Sequence, residues 1–286
     1  MRFSARLWVG AALLGAMVCW AQAPALAQKS EGSVLFLAPH RLIIAPDSKS
    51  ETISVSNKST EERRYDLMMI DQVMNENGIT QQQDTFSYSI KRMVRFQPKR
   101  FTLKPGESQV VRVVVDRPNG ITDGDYHSHL LFREVPLSMK DKSQLEQEHA
   151  DSEKKAVSFE IRTLYGVAVP IVVQVGKVVE DISATDMHLG TSAGDSKMRT
   201  LAATFNRTGN SEAVAKVTVE YAAPGKAPVA VMDPQWVRIY REVDKISKVF
   251  ELPNLPADAK DGKLVVSLVK DENDPKKTVQ QDVSLK

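Results

Sequence analysis

Between Phe96 and Pro136 the chain leaves room only for short extended segments. Phe96-Gln97-Pro98 opens the stretch. Leu103-Lys104-Pro105-Gly106-Glu107-Ser108-Gln109 runs into Val110–Val114. Asp123-Gly124 precedes Asp125-Tyr126-His127-Ser128-His129-Leu130-Leu131-Phe132-Arg133-Glu134-Val135-Pro136. Pro and Gly at these spacings interrupt helices and set turns, while β-branched runs suit a pleated surface. The stretch therefore reads as strand, Pro-Gly turn, Val-rich strand, tight turn, strand.

The same alternation runs through the rest of the chain. In the first half it predicts strands over Ser33–Leu37, Arg41–Ile44, Glu51–Ser56, Arg64–Val73, Gln109–Asp116, Tyr126–Val135 and Val157–Val175. Ala45-Pro46-Asp47, Asn75-Glu76-Asn77-Gly78, Lys104-Pro105-Gly106 and Asp123-Gly124 supply turns between them. About seven short strands at this spacing suggest an antiparallel sandwich. Tyr126, set behind Asp and Gly, matches the tyrosine corner of immunoglobulin-like sandwiches. The second half predicts strands over Asp181–Leu189, Thr200–Asn206, Ala213–Tyr221, Trp236–Arg241, Ser247–Glu251, Lys263–Val269 and Thr278–Ser284. The expected fold class is all-β, two immunoglobulin-like sandwiches with their boundary at Gly176-Lys177. Ser138–Lys155, rich in Lys, Asp, Glu and Gln, is the one long segment without the pattern. It reads as a solvated loop or at most a short helix.

The N-terminus reads as a signal peptide, residues 1–27. Arg2 and Arg6 begin it, an apolar run spans Leu7 to Trp20, and Ala25-Leu26-Ala27 is a small-x-small cleavage site. Val18 and Trp20 around Cys19 argue against a lipoprotein site. Cleavage removes Cys19, the only cysteine, so the mature chain needs no disulfide in an oxidising compartment. Of 38 basic residues two leave with the signal, and 36 then face 36 acidic ones. A balanced charge argues against nucleic acid as a partner. No later apolar run is long enough for a transmembrane helix, so stable membrane insertion is not expected.

Enzyme signatures are missing. There is no Cys nucleophile after cleavage, no Gly-x-Ser-x-Gly elbow, no His-Glu-x-x-His and no phosphate-cradling Gly loop. The expectation is a non-enzyme without cofactor. His127 and His129 share a strand face and can start a metal site, but no third ligand is indicated. A polar outer face is expected of them, and no metal. Asp123-Gly124-Asp125 lacks the further oxygen ligands of a calcium loop and reads as a turn. Asn57-Lys58-Ser59 and Asn206-Arg207-Thr208 match a glycosylation pattern, which Asn in turns explains more simply.

Two features stay open on residues alone. Val157, Phe159 and Ile161 form an apolar stripe alternating with Ser158, Glu160 and Arg162. The stripe belongs to the sandwich's own core, or lies on an exposed edge that can pair with another chain. Arg41, before Leu42-Ile43-Ile44, is a surface charge or a carboxylate anchor, for which a guanidinium fork is suited.

These motifs together resemble the periplasmic pilus-assembly chaperones of the chaperone–usher pathway, the PapD-like family. The resemblance is carried by Pro39-His40-Arg41-Leu42-Ile43-Ile44, the Leu103–Gln109 turn with Val110–Val114, Tyr126–Leu130 running into Phe132–Pro136, and Gly166-Val167-Ala168-Val169-Pro170. Arg207-Thr208-Gly209-Asn210-Ser211 is a weaker match in the second half. It implies two immunoglobulin-like domains in an L or boomerang arrangement, residues 28–175 binding subunits and 176–286 following. It implies a chaperone that stabilises pilus or fimbrial subunits by donating a β-strand and delivers them to an outer-membrane usher. The donor residues would be Val157, Phe159 and Ile161, and Arg41 would hold the subunit's terminal carboxylate. The family's second anchoring residue, a Lys, falls at Tyr165 when counted back from Pro170, with Arg162 a nearby basic alternative. The competing reading is an immunoglobulin-like pilus subunit or surface adhesin. A subunit should lack its own last strand and carry a donor extension at its N-terminus.

Overall fold

A computed structural model describes residues 35–136, 164–195, 197–257, 259–271 and 278–285, and every regular element in it is a strand. One sheet takes the order β1 (Leu35–Ala38), β3 (Ser50–Asn57), β8 (Ser108–Val115), β6 (Val94–Gln97). The sheet facing it runs β2 (Leu42–Ile44), β10 (Gly166–Val175), β9 (Gly124–Val135), β4 (Arg63–Met74), β5 (Thr80–Gln83), with β7 (Arg100–Leu103) also on β4. Period two decides what goes inside. In β8, Val111, Val113 and Val115 are buried while Val110, Arg112 and Val114 face out. They pack with Ile44, Ile53, Val55, Leu130, Phe132 and Ile171 into a single core. The tyrosine corner is present: Tyr126 Oη donates to the Thr122 carbonyl at 3.0 Å.

The second sandwich pairs a sheet ordered β11 (Glu180–Thr191), β12 (Arg199–Gly209), β16 (Lys245–Glu251) with one ordered β14 (Val229–Ala230), β13 (Ala213–Ala222), β17 (Lys263–Val269), β18 (Thr278–Ser284). A further strand, β15 (Gln235–Ile239), also pairs with β13. Leu201, Phe205, Val217, Ile239, Phe250, Leu264 and Leu268 fill its core. Arg207, buried in β12, donates to the carbonyls of Gly209, Ser211, Arg241 and Val243 and pairs with Asp244. It lies inside β12, which continues to Gly209.

Both sandwiches lie within one compact unit, Ser33–Lys286. Met74, the last residue of β4, packs in the second core, and its N–H donates to Glu242 at 2.9 Å. The β4–β5 turn sets Gly78 against Ile246. β9 is buried on both faces through Leu130. Tyr126, Leu130 and Phe132 face their own core, while Asp125 and His127 meet the second sandwich. His127 and His129 are therefore buried, 1% and 4% exposed, and not on the polar outer face expected of them. The cause is a neighbour more than 100 residues downstream, the segment Tyr240–Glu242. Asp123-Gly124-Asp125 is likewise more than a turn. Gly124 and Asp125 begin β9, and the Asp125 carboxylate accepts from Ser211 Oγ and the Glu212 N–H.

Candidate functional site

The edge of β10 and the junction beside it form the candidate site. β10 pairs with β9 along its whole length, Gly166 with Arg133 through Val175 with Gly124. The pairing continues one residue further, where the Glu134 N–H donates to the Tyr165 carbonyl at 2.9 Å. On its other side β10 meets β2 only at Ile171, Val172 and Val173, and this pairing is parallel. Among the described residues the outer edge from Gly166 to Pro170 has no ladder partner. Such an edge is a template for another strand. Apolar side chains are exposed along it: Leu164, Tyr165 and Val167 of this segment, with Ile43 of β2 nearby. Arg117 holds the covered part closed by donating to the carbonyls of Ile44, Ala45, Ser48 and Gln174.

Arg41 sits where β2 stops and the open edge begins, because Leu42 is level with Ile171. Its guanidinium turns toward the second sandwich. Nη1 donates to Tyr240 Oη at 3.1 Å, and the guanidinium carbon is 5.4 Å from the Tyr240 ring centroid. Nη2 pairs with Glu212 Oε2. Glu212 Oε1 accepts from Arg238 Nη1 of β15 at 2.9 Å. Two guanidinium groups thus share one carboxylate. Arg41 Nε is buried and without a hydrogen-bond partner.

The histidines complete the junction. His127 stacks on Tyr240 with centroids 4.3 Å apart, and its Nε2 lies 3.0 Å from Glu242 Oε2. His129 meets the same Tyr240 edge-on at 6.4 Å. Burial, helped by the His127 and Arg41 charges, pushes the His129 imidazole down to about 4; Glu242 and Asp71 oppose this. Asp71 is held beneath by Ser89, Ser128 and Lys91. Arg241 lies over Tyr88 and Tyr126 and donates to the Asp125 carbonyl at 3.0 Å. Among the described residues no cluster of three or more His, Cys, Asp or Glu side chains is arranged to hold a metal ion.

The other sequence-derived site residues are placed as follows. Tyr165 is exposed and precedes β10, five residues before Pro170 at the level of Arg41, about 16 Å along an extended chain. The structure does not bring the two together. Val157, Phe159, Ile161 and Arg162 lie outside the described residues. Glu212, Arg238, Tyr240 and Glu242 were not singled out from sequence. Each is an ordinary charged or aromatic residue in its own segment; Glu212, Tyr240 and Glu242 take partners from the first sandwich only where the two meet, and Arg238 pairs with Glu212 within the second.

No protein-family model and no curated protein sequence matches the chain. Solved structures do. A chaperone–tip adhesin complex of CFA/I fimbriae biogenesis is 14% identical, covering 87% of this chain and 98% of that one, with a TM-score of 0.46. The CsuC-CsuE chaperone–tip adhesion subunit complex from the archaic chaperone–usher Csu pili of Acinetobacter baumannii is 10% identical, covering 88% and 98%, with a TM-score of 0.44. The E. coli chaperone DraB is 16% identical, covering 87% and 96%, at 0.42. The chain is similar to fimbrial chaperones. As in the sequence resemblance, the similarity spans both sandwiches.

Proposed function

We propose that this protein is a non-enzymatic periplasmic chaperone that binds secreted pilus or fimbrial subunits on the open edge of β10 and passes them to an outer-membrane usher. The observation carrying this reading is the placement of Arg41 at the end of that edge. β2 runs parallel to β10 and covers it only from Ile171 onward. A strand added over Gly166–Pro170 delivers its C-terminal carboxylate to Arg41 only if it also runs parallel to β10. Main-chain hydrogen bonds to the edge supply affinity, and alternating side chains supply selectivity. The donated segment extends back through Val157, Phe159 and Ile161. Each such side chain, fully buried in a partner, contributes about 1.5–3 kcal/mol. The subunit-binding part is residues 28–175, residues 176–286 form the second domain, and residues 1–27 direct export.

The test is to purify a tagged chain from the periplasm and identify its bound species by mass. Phe159→Asp should lose that species while melting as the wild type does, since it sets a charge against an apolar groove. Arg41→Ala should lose it too. Here the free protein should also lose about 1.5–3 kcal/mol, because Glu212 and Tyr240 lose a charged donor while Glu212 keeps Arg238. Retention of the species by both variants at wild-type yield would refute the reading.

A further inference from the structure

We propose that Glu212 occupies the carboxylate seat on Arg41 in the free protein, and that an incoming terminal carboxylate displaces it onto Arg238. The inference rests on the reading of Arg41 as the carboxylate anchor and adds how that anchor is kept before a partner arrives. Three observations support it. Glu212 divides its two oxygens between two guanidinium groups, one on Arg41 and one on Arg238. Neither arginine has it in a two-pronged grip, so the fork of Arg41 is engaged through one nitrogen on this carboxylate. The buried Nε of Arg41 has no hydrogen-bond partner, which is a spare donor on the side chain that would grip a carboxylate two-pronged. Finally, two cations face one anion, so the seat has the charge to accept a second carboxylate.

Arg238 makes the exchange possible. An unpaired buried carboxylate is costly, and Glu212 is only 8% exposed in its side chain. If Arg41 released it with no other cation present, the penalty would fall on binding. Arg238 is 32% exposed and belongs to the edge strand β15, so it can follow Glu212 outward. The Glu212 backbone stays fixed meanwhile, because its N–H donates to Asp125. The movement asked of Glu212 is a side-chain rotation. Glu212 thereby raises the threshold for the anchor: a chain ending without a carboxylate cannot replace it.

The test uses the full mature chain and a 12-residue peptide of alternating apolar and polar residues, made once with a free C-terminal carboxylate and once as the amide. Calorimetry gives the acid-over-amide preference. Glu212→Gln should raise affinity for the acid about tenfold and leave the amide unchanged. Arg238→Gln should lower affinity for the acid severalfold, again without effect on the amide. Opposite signs from Glu212 and Arg238 are not expected if their ion pair only braces the second sandwich, to which both belong. In the wild type, the carboxyl carbon resonance of Glu212 should shift on adding the acid and not the amide, which needs no variant to fold. An unshifted resonance, or an unchanged acid preference in Glu212→Gln, overturns the proposal. Equal binding of acid and amide by wild type and Arg41→Gln would instead refute Arg41 as an anchor, and the proposal with it.

Discussion

Acid should weaken this protein through His129, and His129→Phe should remove that sensitivity. The imidazole is 4% exposed, close to the Tyr240 ring, and among its pairing neighbours on the sheet are Ile70 and Pro170. Its Nδ1 is buried without a partner. Burial lowers its pKa from the ordinary 6.5 to about 4. The unfolded chain therefore takes up the proton more readily than the native one. Native stability is whole above pH 6.5, falls as the pH drops through the window between the two values, and levels off below about 4. Each tenfold loss of proton affinity on folding is worth about 1.36 kcal/mol, so the full loss of stability is about 3 kcal/mol and that between pH 7 and 4.5 about 2 kcal/mol. The phenyl ring keeps the shape and contact with Tyr240 but cannot titrate. Urea unfolding of both proteins at pH 7 and pH 4.5 measures the difference. The variant should lose about 2 kcal/mol less than the wild type on acidification. If both lose the same amount to within about 0.5 kcal/mol, His129 is not the acid-sensitive group and its burial does not hold the proton off.

Arg207→Ala should cost about 3–5 kcal/mol, since it removes the buried hydrogen bonds to the Val243 and Ser211 carbonyls together with those to Gly209 and Arg241; a chemical-denaturation midpoint close to wild type would contradict this. Gly124→Ala should destabilise the junction more than an ordinary surface change. Gly124 has φ +122, and an added Cβ would fall 2.1 Å from the Asn210 carbonyl oxygen. Thermal unfolding checks it, and an unchanged melting temperature would refute the close approach.

Most strands could be read from period-two patterning because one face of each meets a core and the other water. β8 and β12 are of this kind. The tyrosine corner was readable from Tyr126 behind Asp-Gly and is observed. What patterning missed has identifiable causes. β5, four exposed residues Thr80–Gln83, has no buried face and so no alternation. β6 and β7, four residues each around Gln97-Pro98-Lys99, stand where the sequence indicates a single strand before the Pro-Gly turn, because each is too short to show a period of its own. β9 between Asp125 and His129 carries polar residues on a face that proves to be buried. Their burial depends on Tyr240 and Glu242, and no local pattern reports a contact so distant in sequence. For the same reason Glu212, whose partner Arg41 lies 171 residues away, was not recognisable beside it.

Met74 and the two-sided burial of β9 bear on how the chain must mature. A chain emerging N-terminus first has every described strand of the first sandwich in hand once Val175 has appeared. At that moment His127, His129 and Met74 still lack their cover, which arrives only with Tyr240–Glu242 and the second core. The sandwich that bears the open edge of β10 is therefore finished by residues made later. A chain cut short after β10 would leave this surface open to the wrong partners, and the open edge of β10 with it. The last third of the molecule thus acts, in time, as the completing half of the first.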